Sequence, residues 1–390
     1  MLPGPPAAHP TLARPASQGP MSTPSSSPKI ALIGASGFIG LRTTEILTQR
    51  ADLTLIPLVR SPASLAVLAR QALDWRIASF VEVAPLAAAL KGCDICIHAA
   101  IGDAAQIVHM AKVTYDACAA AGVRRLVWLS SASVFGQNCP TGTDDSTPLH
   151  DRHPLIYNNA KVHAERALQK CARDRRVELV MLRPGVVFGP RSRWITDPAA
   201  DLRADRAGWL NHGKGICNTI YVDNLVEAMR LAAITPGVAG ETFIVGDAET
   251  VTWREFLLPI AQHLGLDETA FTDLPVPAFA PERASRFTAF TLTPAYARAG
   301  QAVPYRLKRI VKGVLKAWPT PSSGAGAWVL RSSAKPASLT QELSLLQQCP
   351  WKLPHAHATA RLGYQPPVTF AEGMKRSLAW LDFVTDARPA

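Results

Sequence analysis

An α/β fold built on a doubly wound parallel sheet is predicted by three observations on this 390-residue sequence. From residue 29 onward, apolar runs of strand length alternate with helix-length stretches. The runs are continuous, as strands buried on both faces of a sheet require. The first of them passes directly into a glycine-rich turn and then a helix-like pattern. The length allows one large domain and a smaller one behind it.

The first run and its turn read KIALIGASGFIG over 29–40. Ile30 to Ile33 form the buried strand, and Leu41, Ile46 and Leu47 begin the apolar face of a helix. A strand that turns through glycine into a helix gathers unpaired N–H groups and the positive end of the helix dipole, which is where a pyrophosphate binds. Gly34 makes the tight turn, Gly37 lets a ligand approach the backbone, and Gly40 lets the helix pack on the strand. With Ser36, Phe38 and Ile39 they form the candidate phosphate cradle of a dinucleotide cofactor.

The next strand, LTLIPLV (53–59), ends at Arg60. At that strand end an acid binds the ribose hydroxyls of NAD, whereas an arginine suits the extra phosphate of NADP, so Arg60 tilts the expected cofactor toward NADP(H) within the NAD(P) class. A helix is expected over 62–72, a short strand over 77–83, a small helix over 84–90 and a strand over 94–99. Ala99 and Ala100 are small enough for a cofactor to cross that strand's end. An alanine-rich helix (about 103–121) and a fifth strand, RRLVWLS (124–130), continue the alternation.

The fifth strand runs into SSASVFG (130–136), and YNNAK (157–161) opens the following helix. Tyr157 and Lys161, four residues apart, share a helical face. A phenol near pKa about 10 is a weak base at neutral pH, and a neighbouring ammonium is expected to draw it down. A hydroxyl from Ser131 or Ser133 completes a proton-transfer set for a secondary alcohol and a ketone, with nicotinamide exchanging the hydride.

GASGFIG (34–40), SSASVFG, YNNAK and LRPGVVFGP (182–190) occur in the order and spacing of the extended short-chain dehydrogenase/reductases, the NAD-dependent epimerase/dehydratase group, which the chain resembles. IYVDNLVEA (220–228), GETFIVGD (240–247), ARLGYQP (360–366) and FAEGMKRSLAWL extend the likeness to nearly all of 29–385. The resemblance implies a Rossmann-type sheet and a C-terminal substrate-binding α/β domain. It implies Tyr157 as general acid/base, Lys161 as its partner and ribose ligand, and Ser131 as donor to the substrate oxygen. Ser133 stands where many relatives carry a second hydroxyl, and Pro184 and Val187 would line the nicotinamide side. Three departures stand out. VEVAPL lacks the Asp that meets adenine in relatives, RPGVV lacks the Asn of sugar-nucleotide epimerases, and YVDNL is equally similar to steroid dehydrogenases. The implied substrate is therefore a nucleotide sugar or related molecule, with a lipid or sterol-like alcohol as the alternative. A non-catalytic NAD(P)-binding sensor or scaffold is the alternative of another class.

The expected division is a Pro/Ser/Ala-rich disordered tail over 1–28 and a dinucleotide-binding domain over 29–185, with about 216–248 joining its core. A substrate-binding part follows over 186–215 and 249–390. Trp194, Trp209 and His212 are its candidate pocket residues. Met21 is a second candidate start. No apolar run reaches the roughly 18 residues of a membrane span. The seven cysteines are scattered. Cys93 and Cys96 lie in an apolar run with no second ligand pair, so core packing is expected, no metal, and a reducing, cytoplasmic setting.

The net charge of +11 is concentrated in one place: Arg283 to Lys335 holds ten basic residues and no acid. Inside that basic insertion (283–335), 305–318 shows helical apolar spacing with Arg306, Lys308, Arg309, Lys312 and Lys316 on the other faces. It reads as a helix packed over the substrate pocket, or as an interfacial helix on anionic membrane. No nucleic-acid motif accompanies it. Relatives often dimerise through the helix bearing Tyr157, so a homodimer is expected.

Overall fold

The computed structural model describes residues 27–68, 73–102, 104–279 and 337–386. The N-terminal tail up to residue 26 and the whole basic insertion, with its expected helix at 305–318, lie outside the described residues. In chain order the strands are β1 (Lys29–Ile33), β2 (Thr54–Val59), β3 (Arg76–Ile77), β4 (Ile95–His98), β5 (Arg125–Leu129), β6 (Glu178–Pro184), β7 (Val186–Phe188), β8 (Gly208–Leu210), β9 (Ile216–Cys217), β10 (Thr219–Tyr221), β11 (Thr242–Val245), β12 (Val251–Thr252) and β13 (Thr272–Leu274). Seven of them form one parallel sheet in the order β3-β2-β1-β4-β5-β6-β11. This is the doubly wound Rossmann arrangement, whose order reverses beside β1 and opens a crevice at the strands' carboxyl ends.

Helices cover both faces: α1 (Phe38–Leu47), α2 (Val83–Leu90), α3 (Ala104–Ala121), α4 (Ile156–Cys171), α5 (Arg193–Arg203), α6 (Val222–Ile234), α7 (Trp253–His263), α8 (Gln341–Leu346), α9 (Ala356–Leu362) and α10 (Phe370–Asp386). Strand alternation sends Ile30 and Leu32 into the cluster with Leu41, Leu225 and Met229, and Ala31 and Ile33 into the cluster with Leu86, Ala111 and Tyr115. Each fully buried Ile or Leu contributes about 1.5–3 kcal/mol, so these continuous runs anchor the fold. A third cluster joins Phe188, Trp209, Trp253 and Phe256 between α5, α7 and the short strand pairs.

Two expected elements differ. The helix over 62–72 is a 3-10 stretch at Pro62–Val67 with no buried residue of its own, tied to the core by the partly buried Leu65 and by Leu68 just beyond it; residues 69–72 lie outside the described ones. The strand over 77–83 shrinks to Arg76–Ile77, an edge pairing with Leu58 and Val59. The chain then curls so that Glu82 caps α2, and Val83, read as strand, opens that helix.

Helix α4 is held to the sheet by charge as well as by packing. Glu165, fully buried, accepts from the Ser130 hydroxyl at 2.5 Å and from Arg183 Nε and Nη2 at 3.1 and 2.7 Å. Ser130 follows β5 and Arg183 lies in β6, so one carboxylate ties two strands to one helix. The Arg183 guanidinium also stands over the Phe135 ring at 4.9 Å. Removing one partner of a buried pair leaves the other uncompensated. Glu165→Ala is therefore expected to cost about 3–5 kcal/mol, read as a lower denaturant midpoint, whereas an exposed pair such as Arg50–Asp52 should cost about 0–1 kcal/mol.

Candidate active site

The turn after β1 has the shape a phosphate needs. Gly34 has φ +89°, and a Cβ there would stand 2.8 Å from the Ala100 backbone, so the turn and the end of β4 touch. A Cβ on Gly40 would meet the Gly34 carbonyl oxygen at 2.1 Å, so α1 packs directly on the turn. Gly37 differs. It is the exposed N-cap of α1, and a Cβ there would meet only the Gly34 oxygen, at 3.4 Å. Its missing side chain leaves an open face in front of the helix's first amides, which have no intrahelical acceptor. A pyrophosphate fits that surface. Ser36 and Phe38 flank it, half-buried, and Ile39 is buried behind it. Arg60 is exposed one residue past β2, and Ala99 and Ala100 follow β4.

The carboxyl end of β5 and the start of α4 meet alongside. Ser131 caps a short 3-10 turn, Ala132–Phe135, and its hydroxyl accepts from the Ser133 amide at 3.2 Å. Ser133 lies buried beneath it. Asn159 exchanges two hydrogen bonds with the His153 backbone, at 2.9 and 3.0 Å. The His153 ring reaches the Val134 carbonyl at 3.0 Å. The middle of YNNAK thus clamps the serine turn to the helix that carries Tyr157.

Lys161 is buried, donates to the Leu129 carbonyl at 3.1 Å, and has its nitrogen 5.8 Å from the ring centroids of both Tyr157 and Trp128. Burial lowers this ammonium to about 8, and the nearby Glu165 carboxylate opposes the fall. The Tyr157 phenol is pushed up to about 12, first by burial and then by Glu342, against a hydrogen bond with Ser131 and the charge of Arg193. The expected lowering of the phenol by Lys161 is therefore corrected: burial raises it, the groups that lower it are Ser131 and Arg193, and the phenol is held protonated. His98, stacked on Trp128 at 4.2 Å, is held down to about 3 by burial and by Lys161. At neutral pH the set is a neutral phenol over an ammonium walled by neutral aromatic rings.

The family described as NAD(P)H-binding matches residues 34–200, from the glycine turn through the tyrosine helix. UDP-glucose 4-epimerase of Vibrio cholerae is 26% identical over 64% of this chain and 78% of its own length. The 3beta-hydroxysteroid-dehydrogenase/decarboxylase isoform 1 of Arabidopsis thaliana is 24% identical over 74% of this chain and 62% of its own. The family match and these relatives support the resemblance to the extended short-chain dehydrogenase/reductases, the NAD-dependent epimerase/dehydratase group. In fold the chain is similar to the dTDP-glucose 4,6-dehydratase of Bacillus anthracis solved with NAD, with a TM-score of 0.65 and 13% identity over 92% of this chain and 98% of that one. These likenesses support an NAD(P)-dependent oxidoreductase.

The remaining predicted positions fall in different places. Pro184 ends β6 and Val187 lies in β7, paired with Ile220 of β10. Trp194, in the first turn of α5, is half-buried between Arg193 and Trp253. Trp209 is a core residue stacked on Phe271 at 4.4 Å. His212 stands in an exposed turn at φ +51°, its amide bonded to Asp273 at 2.8 Å. Sequence reading missed Arg193 and Glu342, whose charges both act on Tyr157. It also missed His98, whose only sequence signal is a polar residue closing an apolar strand. Cys93 and Cys96 are buried, as expected for packing, and among the described residues no helix is long and apolar enough to cross a membrane.

The two glycines give opposite expectations. Gly40→Ala should cost more than about 2 kcal/mol in stability, since backbone must move. Gly37→Ala should leave the thermal midpoint within about 2 °C yet weaken NAD(P)H binding at least about tenfold by fluorescence titration, the added methyl standing in the open face.

Proposed function

We propose that this oxidoreductase interconverts a secondary alcohol and a ketone, with Tyr157 moving the proton at the substrate oxygen. The observation that carries the reading is the joint position of the Tyr157 phenol, Ser131 and the buried Lys161 at the carboxyl end of β5, two strands along the sheet from β1 and its glycine turn. In reduction the neutral phenol donates to the carbonyl oxygen, and Ser131 donates a second hydrogen bond to the same atom. The Lys161 ammonium stabilises the phenolate that results. In oxidation the proton returns from the alcohol to Tyr157.

Bound nicotinamide supplies the hydride exchange. Gly34, Ser36, Gly37, Phe38, Ile39 and Gly40 would hold the pyrophosphate, Ala99 and Ala100 would face the ring system, and Tyr157 and Lys161 the ribose. Pro184 and Val187 would line the nicotinamide side. Arg60 supports a preference for NADP(H), its guanidinium exposed at the end of β2. Arg60→Asp is expected to lower the NADPH:NADH ratio of kcat/KM at least about tenfold; an unchanged ratio refutes the preference.

For the substrate we assign a nucleotide sugar or related molecule, a reading supported by the likeness to UDP-glucose 4-epimerase. A sterol-like alcohol is the second reading, supported by the 3beta-hydroxysteroid relative and by Gly185–Val186–Val187 standing where sugar enzymes place their Asn. Turnover of UDP-hexoses against 3-hydroxysterols separates the two.

Tyr157→Phe is expected to lower kcat at least about 100-fold, while cofactor affinity falls far less, since the glycine turn and Lys161 remain. Reduction by the parent protein should decline as pH rises through about 8, where Lys161 loses its proton, while Tyr157 at about 12 stays protonated. The same burial affects stability. Because the folded chain releases this proton near 8 and the unfolded chain near 10.5, stability from this site rises with pH across that window. Lys161→Met should therefore abolish turnover while raising stability at pH 7, by about 1–3 kcal/mol after loss of the bond to Leu129.

A further inference from the structure

We propose that Cys139 and Cys349 are a disulfide-forming pair, closed by a hydroperoxide, which covalently joins the loop behind the serine turn to the segment that follows α8. The two Sγ atoms are 3.5 Å apart across 210 residues of sequence, and both thiols are buried. Cys139 lies just past the Ala132–Phe135 turn, and the pair shares a small apolar cluster with Ala132, Val134, Phe135 and Leu353.

Hydrogen bonds hold the two loops face to face. The Trp351 indole donates to the Thr143 carbonyl at 2.9 Å, which ties the segment after Cys349 to the loop after Cys139. The Ile216 amide donates to the Cys349 carbonyl at 2.7 Å. Asn218 donates to the Trp351 carbonyl at 3.0 Å and accepts from the Leu353 amide at 2.8 Å. The contact between the sulfurs is therefore set by the backbone on either side of them.

Their placement suits closure. Both residues lie outside helices and strands, and exposed Pro140 and Pro350 follow them directly, so the pair sits just below the surface. A small local opening admits a peroxide. Loop backbone can yield the roughly 1.5 Å between this contact and an S–S bond of about 2.0 Å. Cys96 also meets Cys118, but the first is in β4 and the second in α3, both without exposure, where the backbone is fixed. The polarity differs as well. Cys349 accepts from the Cys139 thiol and from Asn218 Nδ2 at 3.5 Å, which together outweigh burial and hold it below the usual thiol range. Its own proton, when present, goes to the Trp351 carbonyl at 3.4 Å. The Cys118 thiol and burial push Cys96 well above that range.

Cys349 reacts first, because the thiolate is the nucleophile. With hydrogen peroxide it attacks one oxygen, the O–O bond breaks, and the departing hydroxide takes the Cys349 proton as water, leaving a sulfenic acid. The Cys139 sulfur then attacks the sulfenic sulfur. Hydroxide leaves with the Cys139 proton as a second water, and the S–S bond forms. The two thiols lose two electrons in all, and one peroxide becomes two waters. Closing so long a loop restricts the unfolded chain and stabilises the folded one.

Treatment of the full reduced chain with equimolar hydrogen peroxide tests this, followed by alkylation of free thiols and tryptic digestion without reductant. Trypsin leaves one cysteine in 126–152 and one in 332–352, so mass identifies the linked species. The expected main disulfide product joins those two peptides, two hydrogens lighter than their sum, and is undone by dithiothreitol. The oxidised parent should melt at least about 4 °C above the reduced one, with no such gain in Cys139→Ala or Cys349→Ala. Where a variant fails to fold, the linked peptide of the parent decides. Cys349 left as a free thiol, carried to sulfinic acid, or linked to a cysteine other than Cys139 overturns the proposal. So does an unchanged midpoint in the linked parent, or an equal gain in either variant.

Discussion

A buried carboxylate one helical turn beyond Lys161 sets the geometry of the site. Glu165 takes the Ser130 hydroxyl and the Arg183 guanidinium together, and so fixes where α4 lies against the ends of β5 and β6. The groups proposed to react hang from that alignment. Ser131 follows Ser130 directly, and Tyr157 and Lys161 occupy the turns of α4 before Glu165. Its negative charge also offsets part of the cost of burying the Lys161 ammonium. Packing alone would let a helix slide or rotate by a fraction of a turn, whereas a three-point hydrogen-bonded anchor in a dry interior does not.

The large elements were legible because they are determined locally. A continuous apolar run has one stable destination, a doubly covered strand, and Gly34 and Gly40 are dictated by contacts with residues a few positions away or on the neighbouring strand. Tyr157 and Lys161 were readable for a similar reason, since helical spacing alone puts them on one face. Where reading failed, the outcome depended on partners. FVEV after Ile77 carries strand-like residues, but the edge of the sheet offers only β2 to pair with, and Glu82 caps a helix instead. His212 and Trp209, pocket candidates alike, differ in placement: one closes an exposed turn and the other stacks in a core. Nothing in residue type separates those two fates.

The ionisation of the site was the least legible part. Spacing says that an ammonium lies near a phenol, but not how dry the surroundings are. Here the Tyr157 phenol at about 12 and the His98 imidazole at about 3 are both held neutral, and Lys161 at about 8 keeps the charge. The wall responsible is assembled across strands: His98 and Trp128 are register partners on β4 and β5, and their rings stack beneath Lys161. Glu342 and Arg193 then adjust the phenol from segments far apart in the chain. A charge reaches through space without regard to sequence separation, so electrostatic control is the property that a linear reading recovers last.

These features make the site a net cost to the fold. A buried ammonium held near 8, a phenol deprived of solvent and a histidine with neither ring nitrogen bonded among the described residues all oppose folding. Each would be relieved by an apolar side chain of similar size. What sustains them is the stability supplied by the sheet, where β1, β4 and β5 are almost wholly buried between two helical layers. The arrangement suits the proton transfer proposed for it. A proton donor must stay protonated until the substrate oxygen arrives, and a cation must wait beside it without a permanent counter-ion of its own. Water or a direct carboxylate partner would satisfy both groups and disarm them. Glu165 therefore stays near enough to support the charge while its own oxygens are committed to Ser130 and Arg183, and that division of labour leaves Lys161 available to the phenol.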